Sequence, residues 1–428
     1  MSQSLRIADP EVAAALAAEA RLQETTLELN AAAGLASPSV LAVQGSLFGL
    51  KTLEGYPGKR FHGGHEHADV IESLAVDRAK ALFGAEHANV QPHSGVNANL
   101  AVYFAVLEPG DRILGMDLSA GGHLSHGRRG TLSGKLFRSA SYGVKPETGR
   151  IDYAAAEQTA RELRPRMIVC GASAYPRAVD FARFRRMANE TGAWLLADIA
   201  HVAGLAAGGT YPSPVPHADF TTFTCYKTLR GARGGIILCR EAFASRIDAA
   251  VFPGVQGSMH LHHMAAKAVT LRLASTEAFR TFAARVVDNA RSLARALADF
   301  GFRIVTGGTD THIVLLDLRD REMSGTEAQA RLEEAGLTAN RNAVPFDPRG
   351  PENPSGLRLG TTALTGRGFG PEEMETLAGL IKDVLTSRGD ARRIRAVRRR
   401  VLELCRLHPL HADRFEAAPI RDDVPDPL

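Results

Sequence analysis

Short apolar segments alternate in this chain with stretches whose apolar residues recur at helical spacing. The apolar segments end in polar residues and cover positions 112–118, 167–173, 194–198, 220–224 and 235–238. Because parallel strands need crossover connections, which are usually helices, this alternation favours an α/β domain with a mostly parallel sheet. Helical spacing also predicts helices at 10–24 and 96–107. A turn-like segment precedes the second helix, whose N-terminus is a ready site for a phosphate.

A second pattern begins near residue 275. Long helical stretches are followed there by a strand-like segment at 312–318 and a Pro/Gly-rich segment at 345–356. We therefore expect an N-terminal helix and arm at 1–40, a large α/β domain at 41–275, a smaller α+β domain at 276–415 and a tail at 416–428. The tail is rich in Asp and Pro, which predicts poor order.

The composition argues against a disordered or fibrous protein. Hydrophobic residues make up 45% of the 428 positions and charged residues 23%, as in ordinary folded proteins. The net charge is only +4, and six arginines lie between positions 392 and 400. Since Ile394, Val397 and Val401 recur among them at helical spacing, we predict an amphipathic helix with a solvated basic face and no nucleic-acid partner.

Cysteine usage and apolar runs bear on the location of the protein. The four cysteines are far apart and lack the spacing of zinc ligands, so we expect neither disulfides nor a metal site. The N-terminus lacks the regions of a signal peptide, and no run of about 18 apolar residues occurs. We expect a cytoplasmic protein with no membrane partner.

Lys227 is the first candidate for chemistry. It follows the predicted strand at 220–224 and precedes a Gly/Arg-rich turn, where an amine can be presented to a cleft. A desolvated lysine amine beside other cations has a lowered pKa and forms imines with aldehyde cofactors. On local sequence alone, a surface lysine is the more frequent alternative.

Polar residues near other strand ends complete the candidate site. Asp198 ends the strand at 194–198, where a carboxylate keeps a cofactor's pyridine nitrogen protonated, although a helix-capping aspartate has the same local sequence. His123 lies in a glycine-rich loop and either stacks on a planar cofactor or serves as a turn residue. Ser173 either hydrogen-bonds a ring substituent or caps the chain after its strand.

The order and spacing of six segments resemble the serine hydroxymethyltransferase family. These segments are 54–60 (EGYPGKR), 89–95 (NVQPHSG), 121–127, 198–204, 224–235 and 357–361 (LRLGT), and the resemblance extends from about residue 25 to 405. It implies a pyridoxal 5'-phosphate (PLP) enzyme of fold type I, with a mostly parallel seven-stranded sheet in the large domain and a smaller C-terminal α+β domain. It also implies a homodimer or dimer-based tetramer with active sites shared between subunits.

The same resemblance implies roles for individual positions. Lys227 resembles the lysine that carries PLP, Asp198 the partner of the pyridine nitrogen, and His123 the residue stacked on the ring. The partner subunit is expected to supply Glu54 as acid/base and the segment with Gly257 as part of the phosphate cradle. The implied sets are catalytic Lys227, Glu54, His123, Asp198 and Tyr226; cofactor-binding Ser94, Gly95, His123, Ser173, Asp198, His201, Thr224, Lys227, Gly257 and Ser258; substrate-binding Arg358, His62 and Glu54; and folate-binding Leu118, Gly122, Leu124 and Asn342.

Several positions depart from the family's usual residues, around the substrate and phosphate more than around the ring. The loss of one well-placed polar contact costs about 1–3 kcal/mol, so a bulkier amino acid or a different aldehyde is an alternative substrate. The replacements are Ala32 for a serine, Thr52, Phe61 and His62 for tyrosines, Tyr226 for a histidine, Val96 for a serine and Ser258 for a glycine.

Three functions compete. The first is a hydroxymethyltransferase that breaks or forms the Cα–Cβ bond of serine and exchanges the one-carbon unit with tetrahydrofolate. The second is an aldolase, transaldolase or α-methylserine-type hydroxymethyltransferase that acts on a non-standard amino acid or aldehyde in specialised metabolism. The third is a catalytically silent PLP-binding paralogue, against which the retention of Lys227, Asp198, His123 and Arg358 argues.

Overall fold

The computed structural model describes residues 7–410, so the predicted tail at 416–428 lies outside the described residues. The described strands are β1 (Leu27–Glu28), β2 (Gly55–Tyr56), β3 (Lys59–Arg60), β4 (His87–Asn89), β5 (Arg112–Met116), β6 (Arg138–Tyr142), β7 (Met167–Cys170), β8 (Trp194–Asp198), β9 (Phe220–Thr224), β10 (Gly235–Cys239), β11 (Arg303–Ile304), β12 (Ile313–Asp317), β13 (Leu337–Thr338), β14 (Asn340–Asn342) and β15 (Gly356–Gly360).

The α-helices surround these strands. They are α1 (Pro10–Thr25), α2 (Pro38–Gln44), α3 (Glu66–Phe83), α4 (Gly95–Val106), α5 (Leu132–Leu136), α6 (Tyr153–Leu163), α7 (Phe181–Thr191), α8 (Ala203–Ala207), α9 (Ala244–Ala249), α10 (Leu261–Ala274), α11 (Glu277–Asp299), α12 (Gly325–Glu334), α13 (Thr362–Gly366), α14 (Pro371–Leu385) and α15 (Ala391–Leu407). Short 3-10 turns lie at Leu47–Leu50, Glu241–Phe243 and Val305–Gly307, and a π-helical turn at Ala250–Val255.

The central sheet has seven strands in the order β4-β10-β9-β8-β7-β5-β6. Only β10 runs against its neighbours, and the pairs among β6, β5, β7, β8 and β9 are parallel. The residues of β7, β9 and β10 are buried throughout, as expected for strands covered by helices on both faces. The predicted α/β fold with a mostly parallel seven-stranded sheet is confirmed, and it brings the ends of β5, β7, β8 and β9 to one edge.

The C-terminal part forms a second core around an antiparallel sheet in the order β11-β12-β15-β14. Helix α11 contributes Val286 and Val287 to the first core and Leu293 and Leu297 to the second, so it connects the two. The arginine-rich segment forms α15 and buries Ile394, Val397 and Val401, as its apolar spacing predicts.

The N-terminal arm packs on the second core. Strand β1 pairs in parallel with β13, and Leu27 and Leu29 are fully buried. Arg367 donates to the carbonyl oxygens of Gln23, Glu24 and Thr26, which anchors the end of α1. None of the helices in residues 7–410 is both long and apolar enough to span a bilayer.

Candidate active site

Lys227 lies just beyond β9, at the edge where the parallel strands end, and its side chain is buried. Burial lowers its pKa to about 8, an effect that Arg358 and Arg233 reinforce and the carboxylate of Asp198 opposes. A substantial fraction of the amine is therefore neutral near physiological pH, as a nucleophile toward an aldehyde requires. The surface-lysine alternative does not hold.

The carboxylate of Asp198 is buried at the end of β8 and accepts three hydrogen bonds. The donors are Asn99 Nδ2 at 2.8 Å, His126 Nε2 at 2.9 Å and the backbone amide of Ala200 at 3.0 Å. Burial raises the pKa of Asp198, but the bond and charge of His126, together with Asn99, outweigh it and hold the pKa well below its usual range. Asp198 is thus a fixed anion, suited to pair with a protonated ring nitrogen.

His123 lies beside this carboxylate in the loop after β5. Its Nδ1 accepts the backbone amide of Ser125 at 3.2 Å and lies 2.8 Å from the Ser125 hydroxyl, so Nε2 carries the proton of the neutral ring. Burial is the main cause that lowers the pKa of His123 to about 4. The rings of His123 and His126 lie 5.6 Å apart, and ligand atoms of both lie within 4.8 Å of those of Asp198. The structure therefore brings His123 and Asp198 together, as predicted.

Arg358 extends from β15 toward the same site. Its Nε donates to Asn340 Oδ1 at 3.0 Å and its Nη1 to the carbonyl oxygen of Ser173 at 2.7 Å. Burial lowers the pKa of Arg358 to about 10, so the guanidinium remains charged at neutral pH. Within residues 7–410, no hydrogen bond or ion pair uses Nη2, which is available for an anionic ligand.

His201 and Ser173 present polar atoms near Arg358 and Lys227. The imidazole of His201 is buried and stacks on His312 at 5.6 Å, and its Nδ1 has no hydrogen-bond partner. Burial, followed by the charges of Lys227 and Arg358, holds the pKa of His201 well below its usual value. A buried ring nitrogen without a partner costs free energy, which a bound oxygen substituent would recover.

The segment before α4 has the form of a phosphate cradle. Ser94 caps this helix, because its Oγ accepts the backbone amide of Asn97 at 3.1 Å. A Cβ on Gly95 would lie 2.7 Å from Thr224 Cγ2, so only glycine fits there. The buried Lys267 Nζ donates to the carbonyl oxygens of Val90, Pro92 and Gly235 at 2.7–3.0 Å, and so holds the segment between β4 and the cradle beside the start of β10.

The Glu54 hairpin and the segment with Gly257 are joined by hydrogen bonds. Ser258 Oγ accepts the amide of Leu53 at 3.0 Å and donates to its carbonyl at 2.9 Å, so the hydroxyl anchors the residue before Glu54. Gly257 is exposed. Within residues 7–410 of this chain, no hydrogen bond or ion pair links Glu54, Gly257 or Ser258 to Lys227.

Glu54 itself is half-buried, and its carboxylate has no hydrogen-bond or ion-pair partner among residues 7–410. Arg60, a potential surface partner, bonds instead to Asp69 and to the buried Glu72. Gln91 donates to the carbonyl of Gly55 and to Glu72, so this network ties the hairpin to the phosphate segment. Glu54 is thus held in place and remains unpaired.

Three of the residues that differ from the family's pattern, Ala32, Tyr226 and His62, have the following surroundings. Ala32 and Gly34 lie in the arm, and a Cβ on Gly34 would meet the carbonyl oxygen of Lys227 at 2.1 Å, so the arm passes directly over the lysine backbone. Tyr226 is half-buried, and Arg233 Cζ lies 4.1 Å from its ring centroid. His62 is exposed, with its ring 6.4 Å from that of His65.

The predicted folate positions lie on two segments. Leu118, Gly122 and Leu124 share the loop of His123, and Leu124 is half exposed. Asn342 ends β14, which pairs with the strand of Arg358, and its Nδ2 donates to the carbonyl of its neighbour.

Sequence reasoning missed Asn99, His126 and Lys267. His126 stands three residues after His123 in the same loop, a spacing that was a usable signal. Asn99 lies on α4 and Lys267 on α10, and only the tertiary fold brings them to Asp198 and to the carbonyls near the cradle.

The donor set fits PLP. The residues present are a fixed anion for the ring nitrogen (Asp198), a neutral imidazole beside it (His123), a buried amine of lowered pKa (Lys227), an unsatisfied ring nitrogen (His201) and a capped helix N-terminus (Ser94).

Comparison with known proteins agrees with this geometry. A family model described as serine hydroxymethyltransferase matches residues 5–381. A curated serine hydroxymethyltransferase from Acidobacterium capsulatum is 52% identical over 411 residues, which cover 96% of each chain.

Proposed function

This chain belongs to the serine hydroxymethyltransferase family, and on that premise we propose that it transfers the hydroxymethyl carbon of serine reversibly to tetrahydrofolate, with glycine as the other product. The observation that carries the proposal is the convergence of Lys227, Asp198, His123 and Arg358 on one buried site. The protein is a PLP-dependent one-carbon transferase by family. The near full-length identity does not favour the aldolase, transaldolase or silent-paralogue alternatives.

PLP, when bound, supplies an electron sink for negative charge at the substrate α-carbon. In our proposal Lys227 Nζ is its point of attachment, and Asp198 keeps the ring nitrogen protonated because its own pKa is depressed. His123 would hold the face of the ring as a neutral imidazole and would add no charge there. His201 and Ser173 would hold the ring oxygen, and the Ser94–Gly95 helix end, with Thr224 behind it, would hold the phosphate.

Arg358 binds the substrate carboxylate in this proposal. Two of its nitrogens are held by Asn340 and by the carbonyl of Ser173, so the remaining face of the guanidinium is oriented before substrate arrives. An oriented guanidinium fixes the α-carbon with respect to the ring, and this positioning lowers the entropic part of the barrier.

Glu54 exchanges the proton of the substrate hydroxyl in this proposal. Its carboxylate is half-buried and unpaired within residues 7–410, as an acid/base group requires. No hydrogen bond or ion pair joins it to Lys227 within residues 7–410 of its own chain, so we propose that it acts in the site of a partner subunit, with Gly257, Ser258, Tyr226 and His62 completing the shared site. The folate then lies against the loop of Leu118, Gly122 and Leu124, with Asn342 opposite.

A homodimer follows from this division of residues. Several large apolar side chains are exposed around the hairpin and α4, which supports a protein contact there. The exposed fractions are 81% for Leu47, 82% for Leu50, 72% for Phe61 and 64% for Phe104. Sedimentation of wild type and Leu50→Glu tests this, since the charge should shift the dimer toward monomer. We also propose a cytoplasmic location, in keeping with four buried, unpaired cysteines.

Exchange of the glycine α-proton tests the proposed function. The PLP-bound protein should exchange the proton slowly alone and much faster with tetrahydrofolate, as read by NMR in deuterated buffer. Exchange that is indifferent to folate would favour aldolase chemistry instead. No exchange with glycine, but exchange with an α-substituted amino acid, would move the substrate to the α-methylserine class.

A further inference from the structure

A buried charged network adjoins the Glu54 hairpin. Glu72, on α3, is 2% exposed, and its two carboxylate oxygens accept different donors. Arg60 Nη2 forms an ion pair with Oε2, and Gln91 Nε2 donates to Oε1 at 2.7 Å. The same two side chains donate to the carbonyl oxygen of Gly55, from Arg60 Nη1 at 2.6 Å and from Gln91 Nε2 at 2.9 Å. We call Glu72, Arg60 and Gln91 the hairpin clamp.

The carbonyl that the hairpin clamp holds belongs to the residue after Glu54. Gly55 begins β2, and its φ of +86° is a conformation that residues with a side chain rarely adopt. A Cβ there would also collide with the carbonyl oxygen of Lys59. Because a glycine has no side chain to restrict its backbone, the conformation at this position depends on contacts from other segments. The hairpin clamp supplies two of these contacts.

The chain before Glu54 is fixed as well. Ser258 Oγ is hydrogen-bonded to both the amide and the carbonyl of Leu53. The carbonyl of Glu54 itself accepts the amide of Phe61 at 3.3 Å. The backbone on both sides of Glu54 is therefore held, whereas its carboxylate has no hydrogen-bond or ion-pair partner among residues 7–410. The direction of this carboxylate is thus set through the backbone.

Stability alone does not account for a charged network at this place. Burial raises the pKa of Glu72, although Arg60 and Gln91 oppose the rise, so burying the carboxylate has a cost. A buried ion pair is often no more stabilising than apolar residues of the same volume, but it can fix one arrangement of its donors. In the hairpin clamp, that arrangement places two donors on the Gly55 carbonyl.

We propose that Glu72 is a positioning residue for Glu54: it orients Arg60 and Gln91 onto the hairpin backbone and thereby aims the Glu54 carboxylate at the substrate hydroxyl. This inference rests on the proposed acid/base role of Glu54, and Glu72 itself touches no substrate. An acid/base group must lie within hydrogen-bond reach of its proton, and a misplacement of about 1 Å can cost about 10²-fold in rate.

Replacing Glu72 by glutamine keeps the size of the side chain but leaves one oxygen for two donors. Either Arg60 or Gln91 then loses its acceptor, and the hairpin is held less firmly. At saturating substrates, Glu72→Gln should lower serine turnover about 10- to 100-fold and change PLP content and the KM for serine less than about twofold. Asp77→Asn, which changes an exposed carboxylate on the same helix, should turn over serine like wild type.

A double-substitution cycle separates positioning from a general loss of stability. Glu72→Gln is combined with Glu54→Gln, and serine turnover and urea unfolding are measured for the wild type, both single variants and the double variant. If Glu72 acts through Glu54, adding Glu72→Gln to Glu54→Gln should change turnover less than about twofold. An equal fold-loss in both backgrounds would overturn the proposal, as would wild-type turnover by Glu72→Gln.

Arg60→Lys keeps the test decisive if Glu72→Gln folds poorly. Lysine retains the charge, but its single ammonium cannot serve Asp69, Glu72 and the Gly55 carbonyl together. The loss of turnover should again depend on Glu54, and additivity in this second cycle would overturn the proposal. Wild-type turnover by Glu54→Gln alone would remove the acid/base role and this inference with it, whereas additivity in the cycles would remove only the positioning role.

Discussion

Replacing Arg358 by lysine keeps a positive charge at the substrate end of the site but removes the planar guanidinium. In the wild type, Asn340 and the carbonyl of Ser173 hold this group from one side at 3.0 and 2.7 Å. Lysine has one compact ammonium, which cannot satisfy both of these acceptors and also make two parallel hydrogen bonds to a carboxylate. The substitution therefore tests orientation separately from charge.

The expected loss of serine affinity follows from the number of hydrogen bonds to the substrate carboxylate. A hydrogen bond to a charged group contributes about 1.5–3 kcal/mol, and lysine retains one of two such bonds to the substrate. The affinity for serine should therefore fall by about 10- to 150-fold, since each 1.4 kcal/mol is about a factor of ten. PLP content should stay unchanged, because in this account Arg358 binds the substrate and not the cofactor.

The assay is a titration of the PLP-loaded enzyme with serine, followed by the change in cofactor absorbance. Arg341→Lys is the matched control, because Arg341 is an exposed arginine on β14, in the strand that pairs with β15. The control should bind serine like wild type. If Arg358→Lys binds serine within about twofold of wild type, Arg358 does not hold the substrate carboxylate.

Three further predictions address the lysine, the acid/base group and the cradle. The pKa of Lys227 is about 8, so the rate at which cofactor-free enzyme captures PLP should rise about tenfold per pH unit below pH 8 and level off above it. A rate that still rises beyond pH 10 would indicate an ordinary lysine. Glu54→Gln should lower serine turnover by about 10²–10⁴-fold and leave PLP binding intact, whereas the control Glu66→Gln should turn over serine like wild type. Wild-type turnover by Glu54→Gln would exclude Glu54 as the acid/base group. Lys267→Met removes the side-chain donor from the buried carbonyl oxygens of Val90 and Gly235, whereas that of Pro92 still accepts the backbone amide of Gly235. The free energy of unfolding in urea should therefore fall by about 2–3 kcal/mol, and PLP affinity with it; a loss under about 1 kcal/mol would refute this anchoring role.

The sequence predicted the inner strands of the central sheet and missed its edges. Strands β5, β7, β8, β9 and β10 are almost entirely buried, because helices cover both faces, and all but the threonine-rich β9 are mostly apolar. The two missed strands are β4 (His87–Asn89) and β6 (Arg138–Tyr142), which lie at opposite edges of the sheet. Strand β6 is polar and largely exposed, and the three-residue β4 is mostly buried but has polar residues at both ends, so no apolar run marked either strand.

The candidate site was predictable where a residue follows a strand. Lys227, Asp198 and His123 each lie at or after the end of a strand, and that position is readable from an apolar run. The hydrogen-bond partners of Asp198 could not be predicted from the sequence. Asn99 lies 99 positions away on a helix, and only tertiary packing brings its Nδ2 to 2.8 Å from the Asp198 carboxylate. The roles of Glu54 and of the other residues assigned to a partner subunit stay predictions, since they depend on a second chain.

The most direct test of the central claim follows the β-carbon of serine. Purified PLP-loaded enzyme is incubated with serine labelled with ¹³C at the β-carbon, with and without tetrahydrofolate, and the products are resolved by NMR. The account predicts that the label appears in methylenetetrahydrofolate with equimolar glycine, and that Lys227→Ala abolishes the transfer. Glycine formed at the same rate without folate, with the label in free formaldehyde, would contradict it.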